Sequence, residues 1–150
     1  MRIALASDHA GFDLKQAVMA ELAGRGIEHR DFGVPVSERA DYIDYGAAAA
    51  AALSRGEFDR AILVCGTGLG MAIVANKFKG VRATSCWDEY TVEMSRKHND
   101  ANCLTLGGRT MSVERGLALV ALWLATPFEG GRHAARVQKI RDLEERQFRP

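Results

Sequence analysis

The sequence carries almost no excess of charge: 20 Lys and Arg face 19 Asp and Glu, for a formal net charge of +1. That balance offers no electrostatic footprint for nucleic acid or for an anionic membrane surface. No apolar run approaches the length that spans a bilayer, and Met1-Arg2 leads straight into the strand-like residues 3–6 with no secretory pattern. Cysteine is scarce. Cys65, Cys86 and Cys103 are odd in number and have no metal-ligand spacing, which fits reduced thiols in a cytoplasmic protein rather than a disulfide framework or a zinc site. Internal repeats, low-complexity tracts and breaks in composition are also missing. Residues 1–150 therefore read as one domain, and a hydrophobic content of 47% suffices for a core.

What is present is an alternation of short apolar runs with helical patterns. Residues 2–6, 27–32, 61–64, 81–86 and 103–106 read as strands, the second of them weaker and edge-like. Residues 12–24 have apolar positions at Leu14, Val18, Met19 and Leu22, a helical stripe. Further helices are expected over 47–53, 71–78, 88–97 and 112–125, the last capped by Ser112 with Glu114 in its first turn. Residues 33–44, with Pro35 and mixed charges, read as a loop. This order predicts an α/β fold, a Rossmann-like three-layer sandwich around a five-stranded parallel sheet. A charged helix over 132–147 extends beyond the sheet, and its stripe of Val137, Ile140 and Leu143 needs a partner surface such as a second subunit. In open sheets of this kind ligands bind beyond the carboxyl ends of the strands. Those loops carry Asp8-His9, Cys65 to Gly70, Trp87-Asp88 and Arg109.

The richest stretch is Cys65-Gly66-Thr67-Gly68-Leu69-Gly70, which puts a thiol at the end of a strand, beside a glycine turn and a helix start. Backbone N–H groups at a helix start attract negative charge. Cysteine is often just a small buried hydrophobe, but a thiolate in this setting can serve as base or nucleophile. The glycines suggest a phosphate or oxyanion cradle, or simply a tight turn. A dinucleotide fingerprint would need glycine at position 71, where Met71 stands, and the Gly-Lys-Ser/Thr of a P-loop is missing. That weakens the competing reading, a nucleotide-binding regulatory module. Asp8-His9 is either a capping pair or part of a site, and His98-Asn99-Asp100 is a polar helix end. Arg132 and Arg136 share one helix face beside His133, either as a solvated surface or as a phosphate clamp. Lys77, Lys79 and Arg82 read as solvated charges. A base, oxyanion donors, a histidine acid and an arginine clamp together fit proton abstraction next to a carbonyl in an anionic sugar.

Asp8-His9-Ala10-Gly11-Phe12, Cys65-Gly66-Thr67-Gly68-Leu69-Gly70, Ala75-Asn76-Lys77, Ser95-Arg96-Lys97-His98-Asn99-Asp100 and Glu129-Gly130-Gly131-Arg132-His133 resemble, in order, the motifs of the type B ribose-5-phosphate isomerases. The resemblance implies a metal-free, cofactor-free aldose–ketose isomerase. It implies dimers, in some members tetramers, whose active sites lie between subunits, and no nucleic-acid or membrane partner. It casts Cys65 as the base between C1 and C2, with Thr67 and the amides of Gly66, Gly68, Leu69 and Gly70 holding the enediolate. His98 assists ring opening, and Asp8 and Asn99 contact sugar hydroxyls. His9, Arg109, Arg132 and Arg136 gather around the phosphate. A branch of the family with a Glu base has it where this chain has Met71, so the chain falls with the cysteine branch. Trp87 departs from the expected small residue. It either packs at a subunit interface or reshapes the sugar pocket, which leaves open a tetrose, allose or other aldose phosphate in place of D-ribose 5-phosphate.

Overall fold

The computed structural model describes residues 1–148. Its parallel sheet has the order β2-β1-β3-β5-β4, built from β1 (Arg2–Ser7), β2 (Glu28–Asp31), β3 (Arg60–Cys65), β4 (Ala83–Ser85) and β5 (Cys103–Gly107). The order reverses between β1 and β3, and that is where a crevice opens at the carboxyl ends. The helices are α1 (Phe12–Gly24), α2 (Tyr42–Ser54), α3 (Leu69–Ala75), α4 (Glu89–Asn99), α5 (Val113–Ala125) and α6 (Arg132–Gln147).

Alternation along the strands sorts side chains by size. Ile3, Leu5, Ile62, Val64, Leu104 and Leu106 face α1, α4 and α5, where they pack with Leu14, Val18, Val92, Leu119 and Trp123. Ala4, Ala6, Ala61 and Cys65 face the other way, onto Ala49, Ala50, Met71 and Ala75. Small residues on both sides of that second layer let the alanine-rich α2 lie close to the sheet. Gly46 tightens it further, since a Cβ there would stand 2.7 Å from the Met71 sulfur. Met71, which occupies the place of a dinucleotide-binding glycine, is thus core.

Three boundaries differ from expectation. Helix α2 starts at Tyr42 rather than 47, because Asp41 caps it by accepting the Ile43 N–H at 3.0 Å. The seven-residue α3 begins two residues early, at Leu69, and ends at Ala75. Strand β4 is shorter than 81–86, since the Val81 N–H closes a turn onto the Phe78 carbonyl instead of joining the sheet.

Arg82 is not a solvated charge. Its guanidinium donates to the carbonyls of Asn99 and Asp100 and to the Asp100 carboxylate. Arg96, almost fully buried, donates to Asp100 Oδ1 at 2.9 Å and to the Ala101 carbonyl at 2.6 Å. Two arginines thereby hold Asp100 in the left-handed conformation (φ 45°) that ends α4. Replacing Arg96 with Ala leaves buried acceptors unpaired, so urea unfolding should show a loss of about 2–4 kcal/mol. A loss under about 0.5 kcal/mol would mean that water replaces the guanidinium at little cost.

Candidate active site

The first cluster forms where β1, β3 and β5 end. The Asp8 N–H donates to the Val64 carbonyl, and Asp8 Oδ1 accepts the N–H groups of Ala10 and Gly11 at 2.9 and 3.1 Å. Asp8 therefore caps the short 3₁₀ turn His9–Gly11, and its second carboxylate oxygen is left for another partner. The turn presses on β3: a Cβ on Gly11 would lie 2.5 Å from the Val64 carbonyl oxygen.

Cys65 is buried, and its sulfur accepts the Gly68 N–H at 3.2 Å. Gly68 turns that amide back by adopting φ +84°, where a Cβ would meet Ser85 Oγ at 2.9 Å. Thr67 is exposed and its Oγ1 accepts the Leu69 N–H. Two of the amides expected to hold an oxyanion, those of Gly68 and Leu69, are thus already engaged within the loop. The loop after β5 closes the corner. Gly108 and Arg109 donate their N–H groups to the carbonyls of Cys65 and Gly66, and the Arg109 side chain lies over Gly66. Burial pushes the Cys86 thiol up and the fully buried Cys103 thiol further up, so both stay neutral packing groups. Of the three thiols, only Cys65 belongs to this corner.

Two hollows flank the corner. One, of about 530 Å³, is lined by Asp8, His9, Arg39, Ala40, Asp41 and Tyr42. There His9 Nδ1 takes the Ala40 N–H at 3.3 Å, which leaves the ring proton on Nε2 as a donor. The Tyr42 ring lies against Gly70, where a Cβ would come within 2.6 Å of it. The other hollow, of about 270 Å³, is lined by Thr67, Leu69, Trp87 and Thr110, with the indole more than half exposed. Arg39 and Tyr42 were not legible as site residues, because their segment read as a plain loop.

The second cluster is elsewhere. His98 and Asn99 end α4, beside the starts of β4 and β5. The His98 ring stacks on His133 of α6, with centroids 4.0 Å apart and planes 8° from parallel. Arg132 Nε donates to His133 Nε2 at 3.4 Å, while Arg132 and Arg136 are exposed at the start of α6. Strands β3 and β5 run in register from Ala61↔Cys103 to Cys65↔Gly107. Cys65 and His98 thus stand at opposite ends of the sheet, separated by at least about 13 Å of strand. A single chain brings together Asp8, His9, Cys65 to Gly70 and Arg109, and separately His98, Asn99, Arg132 and Arg136. It does not join the two groups.

Donor atoms of His98, Glu129 and His133 lie within 4.8 Å of one another, the spread of a possible metal site. The stacked rings, however, direct their lone pairs side by side instead of toward one point, and Arg132 adds positive charge. His133 is buried, and its Nδ1 meets no hydrogen-bond partner among the described residues. Burial first, then the neighbouring His98 and Arg132, holds its pKa below the ordinary imidazole range. A depressed histidine costs stability once the unfolded chain takes up a proton that the folded one refuses. Wild type should therefore lose melting temperature between about pH 8 and about pH 5.5, and His133→Phe should lose less over that window. Parallel losses in both proteins would show that His133 does not set this acid sensitivity.

A family model described as Ribose/Galactose Isomerase matches residues 3–140. Ribose-5-phosphate isomerase B of Escherichia coli is 46% identical over 145 residues, covering 97% of either chain. D-erythrulose-4-phosphate isomerase of Pectobacterium atrosepticum is 39% identical, covering 93% of either. The solved structure of Clostridium thermocellum ribose-5-phosphate isomerase B superposes with a TM-score of 0.95 at 47% identity, over 98% of this chain and 99% of that one. By motif, by topology and by these likenesses, the chain belongs to the ribose/galactose isomerase family of sugar phosphate isomerases.

Proposed function

We propose that the protein interconverts D-ribose 5-phosphate and D-ribulose 5-phosphate in the cytoplasm, through an enediolate, at a site shared by two subunits. The observation that carries this is the Cys65 corner: a sulfur 3.2 Å from the Gly68 amide, at the carboxyl end of β3 beside the switch point of the sheet. Cys65 as thiolate takes the C2 proton of the open-chain aldose. The C1 carbonyl electrons move to O1; the O2–H proton then passes to O1, and the carbon-bound proton returns to C1 as the carbonyl forms at C2. Thr67 and the amides of Gly66 to Gly70 hold the oxygen on which charge develops, after the loop releases its own contacts. Asp8 contacts a sugar hydroxyl through its free oxygen, and His9 Nε2–H and Arg109 face the phosphate.

The remaining roles fall to the opposite end of a second copy. There His98 protonates the ring oxygen during opening, Asn99 holds a hydroxyl, and Arg132 and Arg136 complete the phosphate clamp. Stacking positions that ring: His98 lies 4.0 Å from His133, whose pKa burial holds down. Exposed Leu69, Ile73, Trp87 and Tyr90 near the Cys65 corner, and Ile140 and Leu143 on α6, are apolar surface that a second subunit would cover.

A second reading keeps the chemistry and changes the sugar. Trp87 walls the hollow beside Thr67, and an erythrulose-phosphate isomerase is among the relatives. Comparing kcat/KM across four-, five- and six-carbon aldose phosphates decides it. The pentose phosphate is expected to lead, and a four-carbon substrate leading by more than about tenfold would move the assignment to a tetrose phosphate. Cys65→Ala should lower kcat by at least about 100-fold while the circular dichroism spectrum stays native. Turnover within about twofold of wild type would remove Cys65 as the base.

A further inference from the structure

Arg39 stands in the hollow that holds Asp8 and His9, yet neither its sequence context nor the roles above use it. It is exposed, and among the described residues it has no salt bridge and no side-chain hydrogen bond. An unpaired arginine on a surface is ordinarily a solvated charge. Two observations set this one apart.

First, the segment bearing it is pinned at both ends to the site. On one side the Val34 N–H donates to the Ser7 carbonyl at 3.0 Å, and the fully buried Lys15 binds the Val34 carbonyl at 2.8 Å and pairs with Asp31. Asp31 in turn accepts the Gly33 N–H at 2.8 Å. On the other side the Ala40 N–H donates to His9 Nδ1, and Asp41 caps α2. The residue next to Arg39 is thus bonded to the His9 ring, which itself lines the hollow. Second, the hollow is mixed in charge. Asp8 and Asp41 line it with Arg39 and His9, but no carboxylate pairs with the guanidinium among the described residues. An anion entering beside His9 would therefore meet a free planar fork of donors, the geometry that suits phosphate oxygens.

We propose that Arg39 is a further substrate-binding residue, contacting the phosphate group from the same subunit as His9 and Arg109. The proposal rests on the sugar-phosphate reading above. Arg39→Ala and Arg39→Lys test it, with D-ribose 5-phosphate as substrate and inorganic phosphate as competitive inhibitor. Arg39 is exposed and forms no salt bridge or side-chain hydrogen bond among the described residues, so both variants should melt with wild type.

Arg39→Ala should raise KM by about tenfold, keep kcat within about twofold and raise the phosphate Ki in parallel. Arg39→Lys should fall between, because a point charge replaces a fork. Unchanged KM and Ki in Arg39→Ala, with wild type active, would overturn the role of Arg39 and leave the isomerase reading standing. A raised KM with an unchanged phosphate Ki would overturn the phosphate contact, since Arg39 would then touch the sugar. Wild type inactive on every aldose phosphate would overturn the isomerase reading and this proposal together.

Discussion

All strands of a parallel sheet point the same way, and the helices between them return the opposite way. Every βα loop therefore gathers at one end of the molecule and every helix C-terminus at the other. Cys65 ends β3, and His98 lies in the last turn of α4. No loop rearrangement short of unfolding brings them together, because a packed sheet lies between them. Chemistry needing both groups would therefore have to take place between copies of the chain. The exposed apolar residues around Leu69 and Trp87 at one end, and along α6, lie where such a contact would bury them.

Within each end, close contacts set the resting geometry. At the thiol end, glycine allows close approach: Gly11 lets a turn lie on β3, and Gly68 bends its amide back to the sulfur. At the histidine end, Arg82 and Arg96 hold the left-handed Asp100, so the last turn of α4 presents His98 in one place. His133 supports it from below as a buried neutral ring. At the histidine end that order comes from groups outside any proposed chemistry, which is how preorganised sites are built.

Much of this was legible in the residues. Apolar runs ending in glycine marked the parallel strands, and the alternation with helices marked the sandwich. The weak pattern at 27–32 correctly read as an edge strand, since β2 closes one side of the sheet. The loops after strands one, three and five carried the Cys65 cluster, because strand direction alone says where ligands bind. Harder to read was what depends on tertiary contacts. Arg82 looked like a solvated charge and proved to be a half-buried anchor, since its acceptors are carbonyls 17 and 18 residues away. Helix α2 began earlier than its alanine run because one aspartate cap outweighs the mixed composition before it. Arg39 and Tyr42 reach the site only through that early start and through the amide of Ala40 on His9.

The central claim, that the site is completed across two copies, is tested most directly by complementation. Cys65→Ala and His98→Ala proteins, each inactive alone, are unfolded together, refolded as a mixture and assayed. In a mixed dimer one site would unite an intact thiol with an intact histidine, so activity should return to about a quarter of wild type at equal input. A mixture as inactive as its components, with mixed dimers demonstrated by mass spectrometry, would place both groups in one chain's site and contradict the account.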